Sequence, residues 1–465
     1  MALTLTFHGG AESVTGSNFL VEGKHGKLLV DCGVEQGRDF CESCMYDAFP
    51  YDVTSIDALI ITHAHLDHIG RAPKLMREGF KGRVYMTAPT RDLMTLILLD
   101  SAHILAGEAR ARGRDPLYTE HDVEALLNHT EVVEYGEEWE AAPGLSCILR
   151  QTGHILGSAS VRIKDEEGTS LALTGDIGNA PSPYLPDPEP VTDADVMVME
   201  SVYGDRVNSQ EGRVEMLRDE LNKAIARGGA VLIPAFSIER SQLMLYEISN
   251  LMEAGEIPKV PVFLDSPLAI KVTDVYAKWA DKYFKPEVDD ELKREHDIFR
   301  FPFLTQTPAR EDSEAIGETP NPKIILAGAG MSHGGRIARW EERYLPDPAT
   351  TLMIVGYQAP GSPGRLLEDG ARSMRINGRD IAIRAKVGTF RGWSAHADRE
   401  GLLAFAEKSL PRTKTIFCAL GEPASARFLA QRIHGFLGIK AIVPTAGERW
   451  EITKEGVRRV GNAKP

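Results

Sequence analysis

Residues 63–68 read His-Ala-His-Leu-Asp-His, which places three imidazoles and a carboxylate within six positions. Imidazole and carboxylate are ligands that zinc accepts, and ions held this way activate water for hydrolysis. An apolar core has no use for so many polar groups in so short a stretch. The cluster follows directly on the largely apolar run at 56–62, so it leaves the end of a buried strand. Beyond it, Ile69, Ala72 and Met76 recur at helical spacing, which predicts a strand-to-helix junction.

Two more polar residues sit in the same kind of place. His154 follows the strand-like run 145–151 in Thr152-Gly153-His154, and Asp176 follows the run 170–174 in Thr174-Gly175-Asp176. Taken singly, His154 reads as a satisfied structural histidine and Asp176 as a turn aspartate. Their shared position at strand ends, each beside a glycine that permits close backbone approach, favours a joint site. Asp31, in Val30-Asp31-Cys32-Gly33, follows the same pattern and suits the orientation of a ligand histidine.

The elements that must position these groups alternate along the chain. Strands are expected at 3–7, 17–21, 27–30, 131–135, 145–151, 159–163 and 170–174, with helix over 92–127. From about residue 206 the rhythm changes: apolar runs at 230–233, 262–264, 323–327 and 351–355 are each followed by a helical or turn-rich stretch. Such alternation predicts a parallel sheet covered on both faces. From 386 a helix at 399–410, a strand at 415–419, a helix at 424–437 and two strands follow. The segment 179–190 holds five prolines and reads as an ordered loop beside the metal site or as a surface linker. The charged run 281–300 reads as a solvated helix face.

The 465 residues, 43% hydrophobic and 26% charged, have the composition of a soluble globular protein of two to four domains. No apolar run approaches the ~18 residues of a membrane helix, and no secretory signal is visible, so neither membrane nor export is expected. Five scattered cysteines do not make a disulfide framework, and the lone pair Cys41 and Cys44 lacks the second pair of a zinc knuckle. A reducing cytoplasm is the expected compartment. The net charge of −14 argues against a broadly basic nucleic-acid surface, but not against a phosphate received locally by metal ions and a few arginines.

In order, these strings resemble the metallo-β-lactamase fold hydrolases: an aspartate, H-x-H-x-D-H, a histidine and an aspartate. Later motifs resemble the β-CASP branch of RNA-processing nucleases, the group containing the endonuclease of eukaryotic pre-mRNA 3′-end cleavage and its prokaryotic relatives. Met199-Glu200-Ser201-Val202-Tyr203-Gly204 looks like its acidic motif A, and Trp393-Ser394-Ala395-His396-Ala397-Asp398 like its motif B. Gly328-Ala329-Gly330-Met331 and Gly356-Tyr357-Gln358-Ala359-Pro360-Gly361 match further segments of the branch. The resemblance spans essentially the whole chain.

It implies an α/β fold. An αββα metallo-β-lactamase sandwich would be built from 1–205 and 386–465, with a parallel-sheet β-CASP domain inserted at 206–385. It implies two Zn²⁺ ions: His63, His65 and His154 on one, Asp67 and His68 on the other, with Asp176 bridging. Asp67, Glu200 and His396 would carry catalysis. Metal-activated hydroxide would attack phosphorus, with His396 at the scissile phosphate or the leaving oxygen and Glu200 orienting it and keeping it protonated. The expected partner is an RNA substrate, with endonucleolytic cleavage favoured over exonucleolytic, and the chain is expected to form a homodimer. Arg206, Arg240 and the turn Ser332-His333-Gly334-Gly335 are alternative phosphate contacts or structural groups.

One position departs from the pattern. Motif C normally supplies a histidine to the second zinc, and here the string reads Cys418-Ala419-Leu420-Gly421-Glu422. Leucine does not coordinate metal, so the second site is expected to be weaker. Period-two alternation places Cys418 and Glu422 on the face of Leu420, each about 7 Å away along a strand rising ~3.3 Å per residue. Two other readings remain: a metal-binding RNA-processing subunit with little or no activity, and a metallohydrolase acting on single-stranded DNA or a small ester.

Overall fold

The computed structural model describes all residues except 1–2, 36–42, 296, 357, 359–360, 391, 411 and 463–465, and the side chain of 295. Cys41 of the C-x-x-C pair, and Tyr357, Ala359 and Pro360, lie outside the described residues. The chain divides into two compact units, Met1–Val207 with His396–Pro465, and Asn208–Ala395.

The first unit is built on two facing sheets. One has eight strands, in which Gly456–Asn462, Glu448–Thr453, Leu3–Gly9, Asn18–Glu22 and Lys27–Val30 pair antiparallel, and Ala58–Ile60, Arg83–Met86 and Thr130–Val132 continue in parallel. The other has seven, running Lys440–Ile442, Thr415–Ala419, Val196–Glu200, Ser170–Leu173, Ala159–Asp165, Leu145–Gln151 and Glu138–Ala142. Alternate residues meet between the sheets: Leu5, Phe7, Val21, Leu28, Val30 and Ile60 from one, Leu149, Val161, Leu171, Val196 and Phe417 from the other. Leu29 and Leu59, of opposite parity, are equally buried, as happens when a sheet is covered on its second face too. The outer face of the seven-stranded sheet packs Ala172, Met197, Met199 and Ile416 against Leu402, Phe405, Leu429 and Ile433 of the helices Arg399–Lys408 and Pro423–Arg432 and the turn that follows. The last strands complete both sheets, which is why the chain's two ends form one unit.

The second unit holds a six-stranded parallel sheet in the order Leu304–Gln306, Val262–Asp265, Lys323–Ala327, Ala230–Pro234, Thr351–Ile354, Lys386–Thr389. Its central strands are buried at every residue, the signature of a sheet covered on both faces. The strand Lys386–Thr389 pairs with Thr351–Ile354, so the expected break at 385/386 falls instead at 395/396, and the first break at 207/208 rather than 205/206. An exposed edge strand needs no apolar run, and this one has none. The same reason explains the strands that patterning passed over: Glu138–Ala142, Leu304–Gln306 and the hairpin Ser373–Ile376/Arg379–Ala382. The helix expected over 92–127 is two helices, Ala88–Arg112 and Glu120–Leu127. Gly113 ends the first in left-handed backbone, and a Thr119–Asp122 capping box opens the second.

Candidate metal centre

Strand ends of both sheets in the first unit deliver the titratable groups to one place. His63 emerges just beyond Ala58–Ile60, His65 caps the short helix Leu66–Ile69, and that helix carries Asp67 and His68. His154 stands in the turn after Leu145–Gln151, where Ser158 Oγ accepts from the His154 and Ile155 amides at 3.0 and 3.3 Å. Asp176 follows Ser170–Leu173 through Gly175, whose φ of 55° and whose approach to Thr62 leave no room for a Cβ.

Four of these groups converge tightly. One ligand atom from each of His63, His65, His154 and Asp176 lies within 4.8 Å of every other. His65 Nδ1 is 3.1 Å from His63 Nε2 and 3.2 Å from His154 Nε2, and Asp176 Oδ2 is 3.4 and 3.3 Å from the same two Nε2 atoms. Burial pushes the His65 and His154 imidazoles well below their ordinary value, and His63 down as well. Such shifts favour the neutral ring, the form in which an imidazole can bind metal.

The second expected set is looser. His68 Nε2 is 3.4 Å from Asp176 Oδ1 and 4.0 Å from Asp67 Oδ2. This nitrogen is buried without a hydrogen-bond partner among the described residues, because Nδ1 is the atom bonded to Asp31 Oδ2 at 2.7 Å. Burial alone would lower the His68 pKa, but the Asp176 and Asp31 carboxylates outweigh it and hold the ring well above its ordinary value. Asp31 also accepts from Ser17 Oγ at 2.9 Å, the Thr62 amide at 2.9 Å and Thr62 Oγ1 at 3.0 Å, so its carboxylate and hence the imidazole are fixed. Ser17, Thr62 and Ser158 are supporting groups that patterning passed over. Only the adjacency of Thr62 to His63 hinted at one of them.

His396 joins the cluster across a gap of more than two hundred residues. A bridge to Gly178 and the Ala397 amide on Ile177 O at 2.8 Å fix its backbone, and Asp398 caps the next helix. Its ring lies 4.5 Å from that of His154, with Nδ1 3.3 Å from Glu200 Oε2 and 3.9 Å from Asp176 Oδ2. Glu200, fully buried at the end of Val196–Glu200, also accepts from the Ile177 amide at 2.6 Å. Burial opposes charge on His396, but Glu200 and Asp176 prevail and raise its pKa to about 9. The proline-rich segment is ordered beside this group. Its Tyr184 and Leu185 are buried, and Pro186 O abuts Gly153 next to His154.

Leu420 does not occupy a strand as expected. The strand ends at Ala419, and Leu420 takes a left-handed φ of 47°, donating its amide to Gly10 O at 2.6 Å. That reversal breaks the alternation. Leu420 joins Phe7, Phe19 and Ala419 in the intersheet core, whereas Cys418 faces the opposite layer with Met199 and Leu429. Burial pushes the Cys418 thiol up to about 12, and Glu422 is exposed at the start of the next helix. Neither stands in for the missing imidazole. In the second unit, Arg240 is buried at the start of Arg240–Glu253, and Ser332 Oγ is committed to Glu341 at 2.6 Å.

A double sheet with histidines and carboxylates gathered at its strand ends defines a metal-dependent hydrolase. Family models match in chain order: the metallo-beta-lactamase superfamily over 14–235, the Beta-Casp domain over 241–367 and the Zn-dependent metallo-hydrolase RNA specificity domain over 380–444. The chain belongs to the β-CASP family of the metallo-β-lactamase superfamily. It is 37% identical over 396 residues to ribonuclease TTHA0252 of Thermus thermophilus, covering 85% of this chain and 88% of that one. It is 32% identical to the transcription termination factor FttA of Pyrococcus horikoshii (95% and 70% covered) and 30% identical to an RNase J-like protein of Methanocaldococcus jannaschii (95% and 98%). A solved structure of an Enterococcus faecalis protein of unknown function shares the fold, with a TM-score of 0.57 at 11% identity over 97% of this chain and all of that one.

Proposed function

We propose that this protein is a zinc-dependent ribonuclease that hydrolyses phosphodiester bonds, acting endonucleolytically. The observation that carries the reading is the set of four ligand atoms within 4.8 Å of one another, in a chain 37% identical to a protein named a ribonuclease. His63, His65, His154 and Asp176 would hold one ion. Asp67, His68 and Asp176 would hold a second, His68 through its Nε2, which lies 3.4 Å from Asp176 Oδ1. A donor set of imidazole nitrogen and carboxylate oxygen fits zinc. Bound metal supplies a hydroxide nucleophile near neutral pH and withdraws charge from phosphoryl oxygens.

The chain's own groups do the rest. Asp176 presents Oδ2 to His63 and His154 and Oδ1 to His68, joining the two sets. Asp67 completes the second set. Glu200 orients His396 and keeps it protonated, so that its imidazolium faces the phosphate and delivers a proton to the leaving oxygen. A cytoplasmic location belongs to the same reading; Cys32, Cys147 and Cys418 are free thiols, whereas Cys44 is disulfide-bonded. So does the homodimer, checked by a solution mass of twice 51.1 kDa.

Purified protein is expected to carry one to two zinc ions per chain and to cleave single-stranded RNA. A chelator abolishes cleavage and added zinc restores it. Metal-free protein with full activity would overturn the proposal.

Leu420 favours a second reading, a metal-binding subunit of low activity. Non-glycine residues with positive φ are uncommon, and histidine is enriched several-fold among them, so this backbone suits the family's usual residue. Leu420→His is therefore expected to raise metal content towards two per chain and to increase the cleavage rate. Unchanged stoichiometry and rate would place position 420 outside reach of the second ion.

A further inference from the structure

The site does not account for a row of cations and rings that starts beside His396. Tyr203 meets the His396 ring edge-on at 6.1 Å, and the Arg206 guanidinium lies 5.7 Å from the Tyr203 ring centre. The Arg399 amide bonds to Arg206 O at 3.0 Å, and a bridge joins Tyr203 to Asp398, so the two arginines are anchored side by side. Arg399 in turn lies 5.8 Å from the Phe428 ring, Arg432 lies 5.1 Å from the same ring, and the Phe436 ring is 5.3 Å beyond Arg432. All of these residues belong to the first unit.

Positions 428, 432 and 436 are spaced i, i+4, i+8, which aligns ring, guanidinium and ring along one side of the helix Pro423–Arg432 and the π turn Ile433–Leu437. Turns of that kind are rare and are found frequently at functional sites. Phe436 is 68% exposed, more than any other large apolar side chain among the described residues. Arg427 and Arg432 form no ion pair or hydrogen bond with the described residues. Among the described residues, Arg206 holds Asp205 with two hydrogen bonds of 2.8 and 3.1 Å and Arg399 pairs with Glu400 at 2.8 Å, both in partly exposed contacts. Residues 396–440 carry seven lysines and arginines against four acidic residues, in a chain whose net charge is −14.

We propose that Arg206, Arg399, Phe428, Arg432 and Phe436 form a track that binds single-stranded RNA and leads it to or from His396, the arginines taking phosphates and the rings taking bases. Alternating cations and exposed rings fit this ligand because every base has a π face and every nucleotide a charge. The inference rests on the ribonuclease reading and extends it to a surface beyond the metal centre.

The test uses the full-length, metal-loaded chain and a fluorescein-labelled, single-stranded oligouridylate of about 20 nucleotides. Binding is measured by anisotropy in a His396→Ala background, which keeps the metal and slows cleavage, and KM is measured in the parent. Phe436→Ala, by one lost base stack, and Arg432→Gln, by one lost phosphate contact, are each expected to weaken binding about tenfold and to raise KM more than they lower kcat. Arg432→Gln also flattens the dependence of affinity on salt. Phe436 is exposed and Arg432 half-buried, and near-ultraviolet circular dichroism checks that both variants fold. Unchanged affinity and KM in a parent that cleaves RNA would overturn the track and leave the ribonuclease reading standing. A parent that binds through Phe436 yet cleaves nothing would do the reverse. A dimer that Phe436→Ala splits, with RNA affinity unchanged, would assign the patch to a second copy of the chain and overturn the proposal.

Discussion

Asp176→Asn is expected to lower kcat/KM for RNA by about 10⁴-fold or more, equivalent to ~5.5 kcal/mol of transition-state stabilisation. The size follows from the position of one carboxylate. Oδ2 lies 3.4 and 3.3 Å from His63 and His154, while Oδ1 lies 3.4 Å from His68, so this group alone reaches both ligand sets. Burial opposes its ionisation, but His68, His63 and His396 outweigh burial and hold it well below the usual carboxylate range. Asparagine keeps the shape and removes both the charge and one acceptor. Bound metal is expected to fall below one ion per chain, measured by elemental analysis alongside near-ultraviolet circular dichroism as a check on folding. A variant that keeps its metal and its rate would refute the assignment.

His396→Ala is expected to act differently: kcat falls about 10²–10⁴-fold, the usual worth of general acid catalysis, while metal content stays at the parent value. His396 Nδ1 is turned towards Glu200 at 3.3 Å, and the carboxylates around it keep the ring protonated up to about pH 9. Loss of metal in this variant would instead make His396 a ligand and remove its role as the acid.

The candidate ligand cluster was legible because its members are close in sequence and chemically unusual. Three histidines and an aspartate within residues 63–68 need no tertiary contact to be noticed, and His154 and Asp176 each follow an apolar run that marks a strand end. Asp31 was legible for the same reason, and it bonds to His68 at 2.7 Å as its position suggested. The supporting hydroxyls of Ser17, Thr62 and Ser158 were not, because serine and threonine are common and only the fold turns these three towards the site. Edge strands such as Lys386–Thr389 were missed because half-exposed strands carry no apolar signal, and the domain break shifted with them.

Position 420 shows where local rules stop. Period-two alternation assumes that the strand continues, and it ends at Ala419. The left-handed turn at Leu420 then sends its side chain into the core with Phe7 and Phe19, and Cys418 to the other side of the sheet. The pairing of His396 with Glu200 depends on residues 196 positions apart, and the row from Tyr203 to Phe436 on three separate stretches of chain. By itself the sequence determined which chemistry the protein is equipped for, because ligand type and strand-end placement are local properties. Which nitrogen of His68 faces Asp31 and which faces Asp176, which carboxylate lies between the two sets, and which cations line up beside His396 were decided only in the folded chain. Each depends on distances of 3–6 Å between segments that the sequence keeps far apart.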